Sequence, residues 1–446
     1  MKSQKMWDFA RIHSAQPTLI FSPTSEDEIV KIVKSHPLHK ICLSGGQYSH
    51  GGQTLLDNCV SLNLKNFNNI TNFDFKKKLI TTQSGATWRK LIEYLDPLNL
   101  SISEMQSYCN FTVGGSIGVN CHGRGMLYGT IADSIVKMKL LTMSGQIIVA
   151  SRCQSQTRDL FRAVIGGYGG IAIILEATFL VTDNYPIERQ ILTCKSVDLI
   201  KFYKSLVNHP QLVFYNGNIY PTNEDTIVNI CWFRSKKPLT IPDRLQKNNT
   251  THVTSMISEQ ALRQSWLVKF MRARLEPYWL KNPLVVWRNY ELTYDVNSLQ
   301  PLTKVATTTI LQEYFVPINS INKFLDYFWN IMNMYMVNLL NVSLRYVMGT
   351  KISILNYAPN DRIAVVLYIN IGNNQWCLDY AKDWSQKLIQ KAIDLSGSYY
   401  LPYLPFATKH QFKTAYKGYE KYLEIKNKYD PLNRLSSQFL EKYIYL

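Results

Sequence analysis

Three glycine clusters precede Ile171: Gly45 to Gly52, Thr112-Val113-Gly114-Gly115-Ser116-Ile117-Gly118, and Gly166-Gly167-Tyr168-Gly169-Gly170. Glycine permits positive φ and lets backbone N–H groups approach an anion closely, so several such loops together suit a pyrophosphate. Any one cluster is more often a tight turn; the set of three is what argues for a phosphate-bearing cofactor. None reads GxGxxG opening a helix or GxxxxGK followed by Ser or Thr, which disfavours a Rossmann nicotinamide site and a P-loop. His122 follows the second cluster and offers an imidazole, a side chain suited to proton transfer near neutrality. Farther along, Leu311-Gln312-Glu313-Tyr314-Phe315-Val316-Pro317 alternates as a strand, with Glu313 and Phe315 on one face and Gln312, Tyr314 and Val316 on the other. A carboxylate among aromatics calls for an explanation, the plainer reading being a Glu on an exposed strand face. On a following strand, Val342 to Val347, Arg345 would supply a fixed cation beside it; an Arg paired with a surface acid is the alternative, and Lys351 a weaker candidate.

The elements that must position these residues fall into two compositional regions. From Thr18 to Asp183 short β-branched runs alternate with helical stretches. Ser25-Glu26-Asp27-Glu28 starts a helix, and Lys40 to Leu43 is a strand running into the first glycine loop. Further strands are expected at Leu79 to Thr82, Ile135 to Thr142, Gln146 to Ala150 and Ile171 to Val181, with a helix from Thr87 to Leu95. Beyond Tyr185 aromatic residues and Met become dense and glycine clusters cease until Gly397. The division expected is 1–183, 184–396 and 397–446. The last segment carries Tyr416, Tyr419 and Tyr422 at helical spacing on one helix that Asp430-Pro431 ends.

At 446 residues the chain exceeds one ordinary core, and no run approaches the ~18 apolar residues a spanning helix requires. The N-terminus lacks a secretory apolar core, and eight scattered cysteines without a CxxC pair fit reduced thiols, so a cytoplasmic protein without a metal site is expected. A net charge of +17 would attract phosphates, acidic substrates or anionic surfaces. The basic residues are dispersed and no nucleic-acid-binding signature is present, so nucleic acid is not an expected partner. Ala261 to Leu280 places Leu267, Phe270, Met271, Arg274, Leu275 and Tyr278 at helical spacing. Such a stripe usually packs on its own domain; the alternative is peripheral contact with a membrane surface.

The order of the loops resembles the FAD domain of the vanillyl-alcohol-oxidase (PCMH-type) family. Gly46-Gln47-Tyr48-Ser49-His50-Gly51-Gly52-Gln53, led by Ser44 and Gly45, is similar to that family's pyrophosphate loop. Thr112 to Gly123 is similar to its flavin-contacting segment, Asp159-Leu160-Phe161 through Gly170-Ile171 to its adenine-side segment, and Lys428-Tyr429-Asp430-Pro431-Leu432-Asn433-Arg434 to its closing motif. The second loop and tail resemble most the branch of aldonolactone and alditol oxidases and the decaprenylphosphoryl-ribose oxidase. The resemblance implies an α+β fold: a two-subdomain PCMH-type FAD-binding domain plus an α+β substrate (cap) domain with an antiparallel sheet. It implies bound FAD, contacted by Ser44, Gly45, Gly46, Gln47, Tyr48, Ser49, His50, Gln53, Ser107, Thr112, Val113, Gly114, Gly115, Gly118, Val119, His122, Gly170, Ile171 and Tyr400. It implies oxidation of a CH–OH group in a small molecule such as a sugar, sugar alcohol or lactone, by hydride transfer to flavin N5 with oxygen or another acceptor. His122, Glu313, Arg345 and Tyr403 are the residues expected to carry that chemistry.

The chain departs from those relatives in two places. Tyr48 stands where many carry a flavin-linking histidine, and Cys109 is one residue out of register for a cysteinyl link, so FAD is expected to be noncovalent. Leu401-Pro402-Tyr403 replaces a tail motif that ends in lysine, putting a phenol where a cation usually sits. The competing readings are a flavoprotein without alcohol turnover and a basic nucleic-acid- or lipid-binding protein.

Overall fold

The structure is a computed structural model and describes residues 5–247, 261–263, 265–296 and 306–445. Near the N-terminus a small sheet of order β1-β3-β2 forms from β1 (Leu19–Phe21), β2 (Ile41–Ser44) and β3 (Val60–Asn63), all parallel. Helix α1 (Glu26–Ser35) packs against it through Ile29 and Val33. The Ser25 hydroxyl accepts the Glu28 N–H, and acids in the first turn face the positive end of the helix dipole.

The second sheet is antiparallel, of order β8-β7-β9-β5-β4 with β6 pairing on β9. Its strands are β4 (Ile70–Asp74), β5 (Leu79–Gln83), β6 (Leu100–Ile102), β7 (Ile135–Leu141), β8 (Ile147–Ser151) and β9 (Ile173–Asp183). Helices α2 (Trp88–Leu95), α3 (Val113–Gly118) and α4 (Arg158–Val164) lie in its connections. Trp88, Leu91, Ile92 and Leu95 are all buried, the i, i+3, i+4, i+7 stripe of a helix with one face inward.

The third sheet has eight strands, every pair antiparallel, in the order β13-β10-β12-β11-β15-β16-β14-β17. They are β10 (Pro186–Lys195), β11 (Leu212–Tyr220), β12 (Asn223–Arg234), β13 (Val285–Trp287), β14 (Thr307–Pro317), β15 (Leu339–Val347), β16 (Arg362–Gly372) and β17 (Ser398–Tyr399). Helices α5 (Leu199–Leu206), α7 (Ile321–Met334) and α8 (Gln375–Asp394) cover one face, where Tyr314 meets Phe324. The opposite face, carrying Glu313 and Arg345, turns toward the glycine loops. The mixed α and β architecture expected from the sequence is what forms.

After β17 the chain returns to the first loop. The His50 N–H donates to the Pro402 carbonyl at 3.1 Å and the Gln53 side chain to that of Leu401 at 2.8 Å. The single tyrosine-bearing helix expected near the end is two: Lys409–Ala415, closed at Tyr416, and α9 (Tyr419–Tyr429). The break falls at Gly418, where a Cβ would lie 2.1 Å from the Ile354 carbonyl oxygen, so the chain turns where only glycine fits. Asp430 ends α9, accepting the Arg434 and Leu435 N–H groups and the buried Lys426 ammonium at 2.8 Å.

The expected amphipathic segment differs in a second way. Helix α6 (Trp266–Leu280) begins after Ser265, residue 264 lying outside the described residues, and Ala273 is its one buried residue. Leu267, Met271, Leu275 and Tyr278 face solvent rather than their own domain. The polar side chains make the inward contacts, Lys269 to Asn338 and Arg272 to the Leu340 carbonyl.

Candidate active site

The end of β2 delivers the chain into the first glycine loop. A Cβ on Gly45 would lie 2.3 Å from the Thr112 hydroxyl, so only glycine lets the first and second loops touch here. Gln47 takes φ of 58°, turning the chain so that the Tyr48 ring lies over Gly46. In the second loop the Gly114 N–H donates to the Ser84 carbonyl at 2.7 Å, and in the third Tyr168 and Gly169 both have positive φ. The three loops wall a lobe of about 100 Å³ with Ser44, Gly45, Gly115, Gly118, Tyr168 and Ile171 among its lining. A Cβ on Gly118 would meet no protein atom within 4 Å. The buried hydroxyls of Ser44 and Ser84 have no hydrogen-bond partner among the described residues.

This lobe joins a chamber of about 380 Å³, the two sharing Gly45, Ser49, Thr54, Thr112, Gly115 and Val119. The third sheet lays the chamber's far wall: Thr309, Leu311 and Glu313 from β14, Asn341, Ser343 and Arg345 from β15, and Val366 and Tyr368 from β16. Tyr48, His50, Tyr400 and Tyr403 line it from the first loop and the tail.

His122 and Glu313 meet in this chamber. Nε2 stands 2.7 Å from Oε1, and both side chains are 2% exposed. Asn120, at φ of 47°, turns the chain before His122, and the Tyr357 hydroxyl fixes that turn by donating to the Asn120 carbonyl at 2.7 Å. The imidazole is wedged between the rings of Phe315 and Tyr400, with centroids 5.3 and 5.5 Å away. The Glu313 carbonyl accepts the Tyr400 N–H at 2.9 Å, tying the carboxylate's strand to the tail. Arg345 is part-buried, makes no ion pair among the described residues, and its Nε is buried without a hydrogen bond. Burial pushes the Tyr403 phenol well above its ordinary pKa, the Glu313 carboxylate adds to the rise, and Arg345 opposes it. Tyr403 therefore stays a neutral donor.

Behind the His122 turn sits Glu104, whose carboxyl presses on Gly123 and Gly125; a Cβ on Gly125 would lie 2.0 Å from Oε2. Burial raises its pKa to about 8, with Arg288 opposing and Asp133 assisting. This is a folding contact of the loop rather than part of the chamber wall.

Ser44, Gly45, Gly46, Gln47, Tyr48, Ser49, His50, Gln53, Ser107, Thr112, Gly114, Gly115, Gly118, Val119, His122, Ile171, Glu313, Arg345, Tyr400 and Tyr403 all line the lobe or the chamber. Two expected contacts do not. Val113 is fully buried in the core, its N–H bonded to the Ala86 carbonyl, and Gly170 faces Tyr422 and Leu440. Cys109 also stays out of the wall; its thiol is buried and raised to about 11. The Lys351 carbonyl binds Arg162 instead. Asn341 and Ser343 were missed although they alternate with Arg345 along β15 and were legible by the period of a strand. Ser84 and Arg272 carried no local signal, since only tertiary contact brings them to the site.

Residues 17–151 match the family described as FAD binding domain. That stretch is an FAD-binding domain. The chain is 28% identical over 185 residues to L-gulonolactone oxidase of Scyliorhinus torazame, covering 41% of this chain and 41% of that protein. It is 26% identical over 248 residues to D-arabinono-1,4-lactone oxidase of Kluyveromyces lactis, covering 53% of this chain and 45% of that one. The chain thus spans less than half the length of these curated relatives. A mutant cholesterol oxidase from Brevibacterium sterolicum shares the fold with a TM-score of 0.73 over 99% of this chain and 97% of that one, at 13% identity. The fold likeness therefore extends through both the matched FAD-binding region and the third sheet.

Proposed function

We propose that the protein is an FAD-dependent oxidoreductase that oxidises a CH–OH group of a small polyhydroxylated molecule, a sugar, sugar alcohol or lactone. The observation that carries this reading is the buried His122–Glu313 pair in a chamber continuous with the glycine lobe. The lobe fits a dinucleotide: glycine backbone at the places where a Cβ would intrude, and two buried serine hydroxyls in want of an acceptor or donor. Backbone of Gly45, Gly115 and Gly118 with Ser44 and Ser84 would hold the pyrophosphate, and Tyr168 and Ile171 the adenine side. Tyr48, His50, Val119 and Tyr400 would flank the isoalloxazine. With Tyr48 in place of a linking histidine and Cys109 outside the chamber wall, FAD is held noncovalently.

When bound, FAD supplies the two-electron acceptor for a hydride from the carbinol carbon. The protein supplies the rest. Asn341, Ser343 and Tyr368 offer hydrogen bonds to several hydroxyls and so fix which carbon is presented. The His122–Glu313 pair takes the hydroxyl proton, with the imidazole wedged by Phe315 and Tyr400 so that its geometry does not drift. Arg345, without a carboxylate partner among the described residues, offsets the negative charge that develops on the substrate oxygen, and neutral Tyr403 donates to the same region. Within a largely apolar lining, Thr309, Asn341, Ser343 and Tyr368 place hydrogen-bonding groups on one wall, and the relatives named for sugar lactones support a polyhydroxylated substrate. The eight unpaired cysteines support a reducing, cytoplasmic setting. The re-oxidant is oxygen or another small acceptor.

Anaerobic incubation of the flavin-loaded protein with L-gulonolactone, D-arabinono-1,4-lactone and a panel of alditols tests the reading. Bleaching of the flavin absorbance by at least one of them is expected. Full flavin loading with no bleaching across the panel would favour a flavoprotein without alcohol turnover.

A further inference from the structure

Helix α6 leaves outward a row of apolar side chains that a helix serving only its own domain would bury. Its polar side chains hold it to the protein: Lys269 Nζ donates to Asn338, Arg272 to the Leu340 carbonyl, and Arg272 pairs with Glu276. Ala273 is buried and Val268, Phe270 and Leu280 are half-buried, but the other apolar side chains point away. Leu267, Met271, Leu275 and Tyr278 recur at i, i+4, i+8 and i+11 along the outer face, with Trp266 and Trp279 at its two ends. Trp266, Tyr278 and Trp279 are 68%, 73% and 62% exposed. A surface helix normally buries such a stripe, and contiguous exposed apolar patches mark contact sites. The patch continues beside the helix, since Asn338, the partner of Lys269, follows exposed Met334 and Met336 on the turn into β15.

We propose that this face docks on an anionic lipid surface. Charge argues for that occupant over a second copy of the chain. Arg274 and Lys281, both exposed, sit among and just beyond the apolar residues, and the whole chain carries a net charge of +17, so two copies would repel where an anionic surface attracts. Composition agrees: Trp and Tyr at the ends of an apolar stripe with basic neighbours is the pattern of helices lying in a membrane interface. Among the described residues no helix is long and apolar enough to cross a membrane, so contact through α6 is peripheral. Arg272 of the same helix lines the substrate chamber. The docked surface would then lie about one helix diameter, ~10–12 Å, from the chamber wall.

The test is co-sedimentation of the flavin-loaded protein with phosphatidylglycerol–phosphatidylcholine vesicles and with pure phosphatidylcholine vesicles, reading tryptophan fluorescence in parallel. Binding to the anionic vesicles with a blue-shifted emission, weakened by salt, is expected. Leu267→Asp/Tyr278→Asp alters two of the most exposed positions and should abolish binding while flavin content is kept. Arg274→Glu/Lys281→Glu keeps the apolar stripe and should weaken binding roughly 25-fold or more. No binding of the wild type to anionic vesicles at low salt would overturn the proposal, as would undiminished binding by the Asp variant. So would a concentration-dependent dimer that the Asp variant loses, which would assign the face to a second copy.

Discussion

Replacing Gly118 by valine separates the two roles a glycine loop can have. A Cβ at this position meets no protein atom within 4 Å, yet the residue lines the smaller lobe. Its φ is not in the left-handed region, so valine can adopt the backbone. Losing a glycine at the end of α3 gains up to ~1 kcal/mol, partly offset by β-branching, and the apoprotein should stay within about 1 kcal/mol of wild type. The three added carbons enter a space of about 100 Å³. There they occupy space proposed for the cofactor. FAD at 100 times its Kd stabilises a protein by ~2.7 kcal/mol, and domains of this size shift ~2–4 °C per kcal/mol. Wild-type apoprotein should therefore gain roughly 5–10 °C on adding saturating FAD, and Gly118→Val close to nothing, with its apo Tm unchanged. Thermal denaturation with and without FAD, together with the flavin-to-protein ratio, reads both quantities. A variant that takes up FAD to the wild-type ratio would refute the placement of the cofactor, and an apo Tm lowered by more than about 5 °C would show that the glycine serves the fold.

Arg345→Met should retain FAD and slow anaerobic flavin bleaching roughly 10²–10³-fold, the usual cost of removing one stabiliser of a developing anion; stopped-flow absorbance measures it. The Glu104 carboxyl holds its proton more tightly in the folded chain, at about 8, than in the unfolded one, at ~4.3, so it favours folding at low pH and this advantage is lost as pH rises between those values. Glu104→Gln should accordingly gain stability relative to wild type from pH 5 to 8, by at most about 1.4 kcal/mol per unit, in urea midpoints; parallel pH profiles would contradict this. Lys426 is buried, donating to the Gly170 carbonyl at 2.7 Å and to Asp430 at 2.8 Å. Lys426→Met should cost roughly 3–5 kcal/mol by leaving Asp430 buried and unpaired, with the double variant Lys426→Met/Asp430→Asn recovering part of it in the same assay.

What was legible in the sequence was local. Strand runs such as Leu79 to Thr82 fall within one or two residues of the observed β5, because hydrophobic alternation is set by the pleat itself. Thr87 and Ser25 stand as helix caps because their hydroxyls accept N–H groups only a turn away. The meeting of His122 with Glu313 was not in any spacing, since 191 residues separate them, and it depends on how the third sheet faces the second loop. The break at Gly418 needed the Ile354 backbone to be seen beside it. The outward face of α6 ran against the usual logic of a helical stripe, and that violation is what points to a partner.

The central claim rests on Glu313 as the group that, with His122, takes the hydroxyl proton. Glu313→Gln keeps the shape and removes the proton acceptor, so the direct measurement is single-turnover flavin bleaching by the best substrate of the lactone and alditol panel, wild type against variant. The account predicts full FAD loading and a rate lowered roughly 10²–10⁴-fold in the variant. A rate within tenfold of wild type at equal flavin content would contradict it.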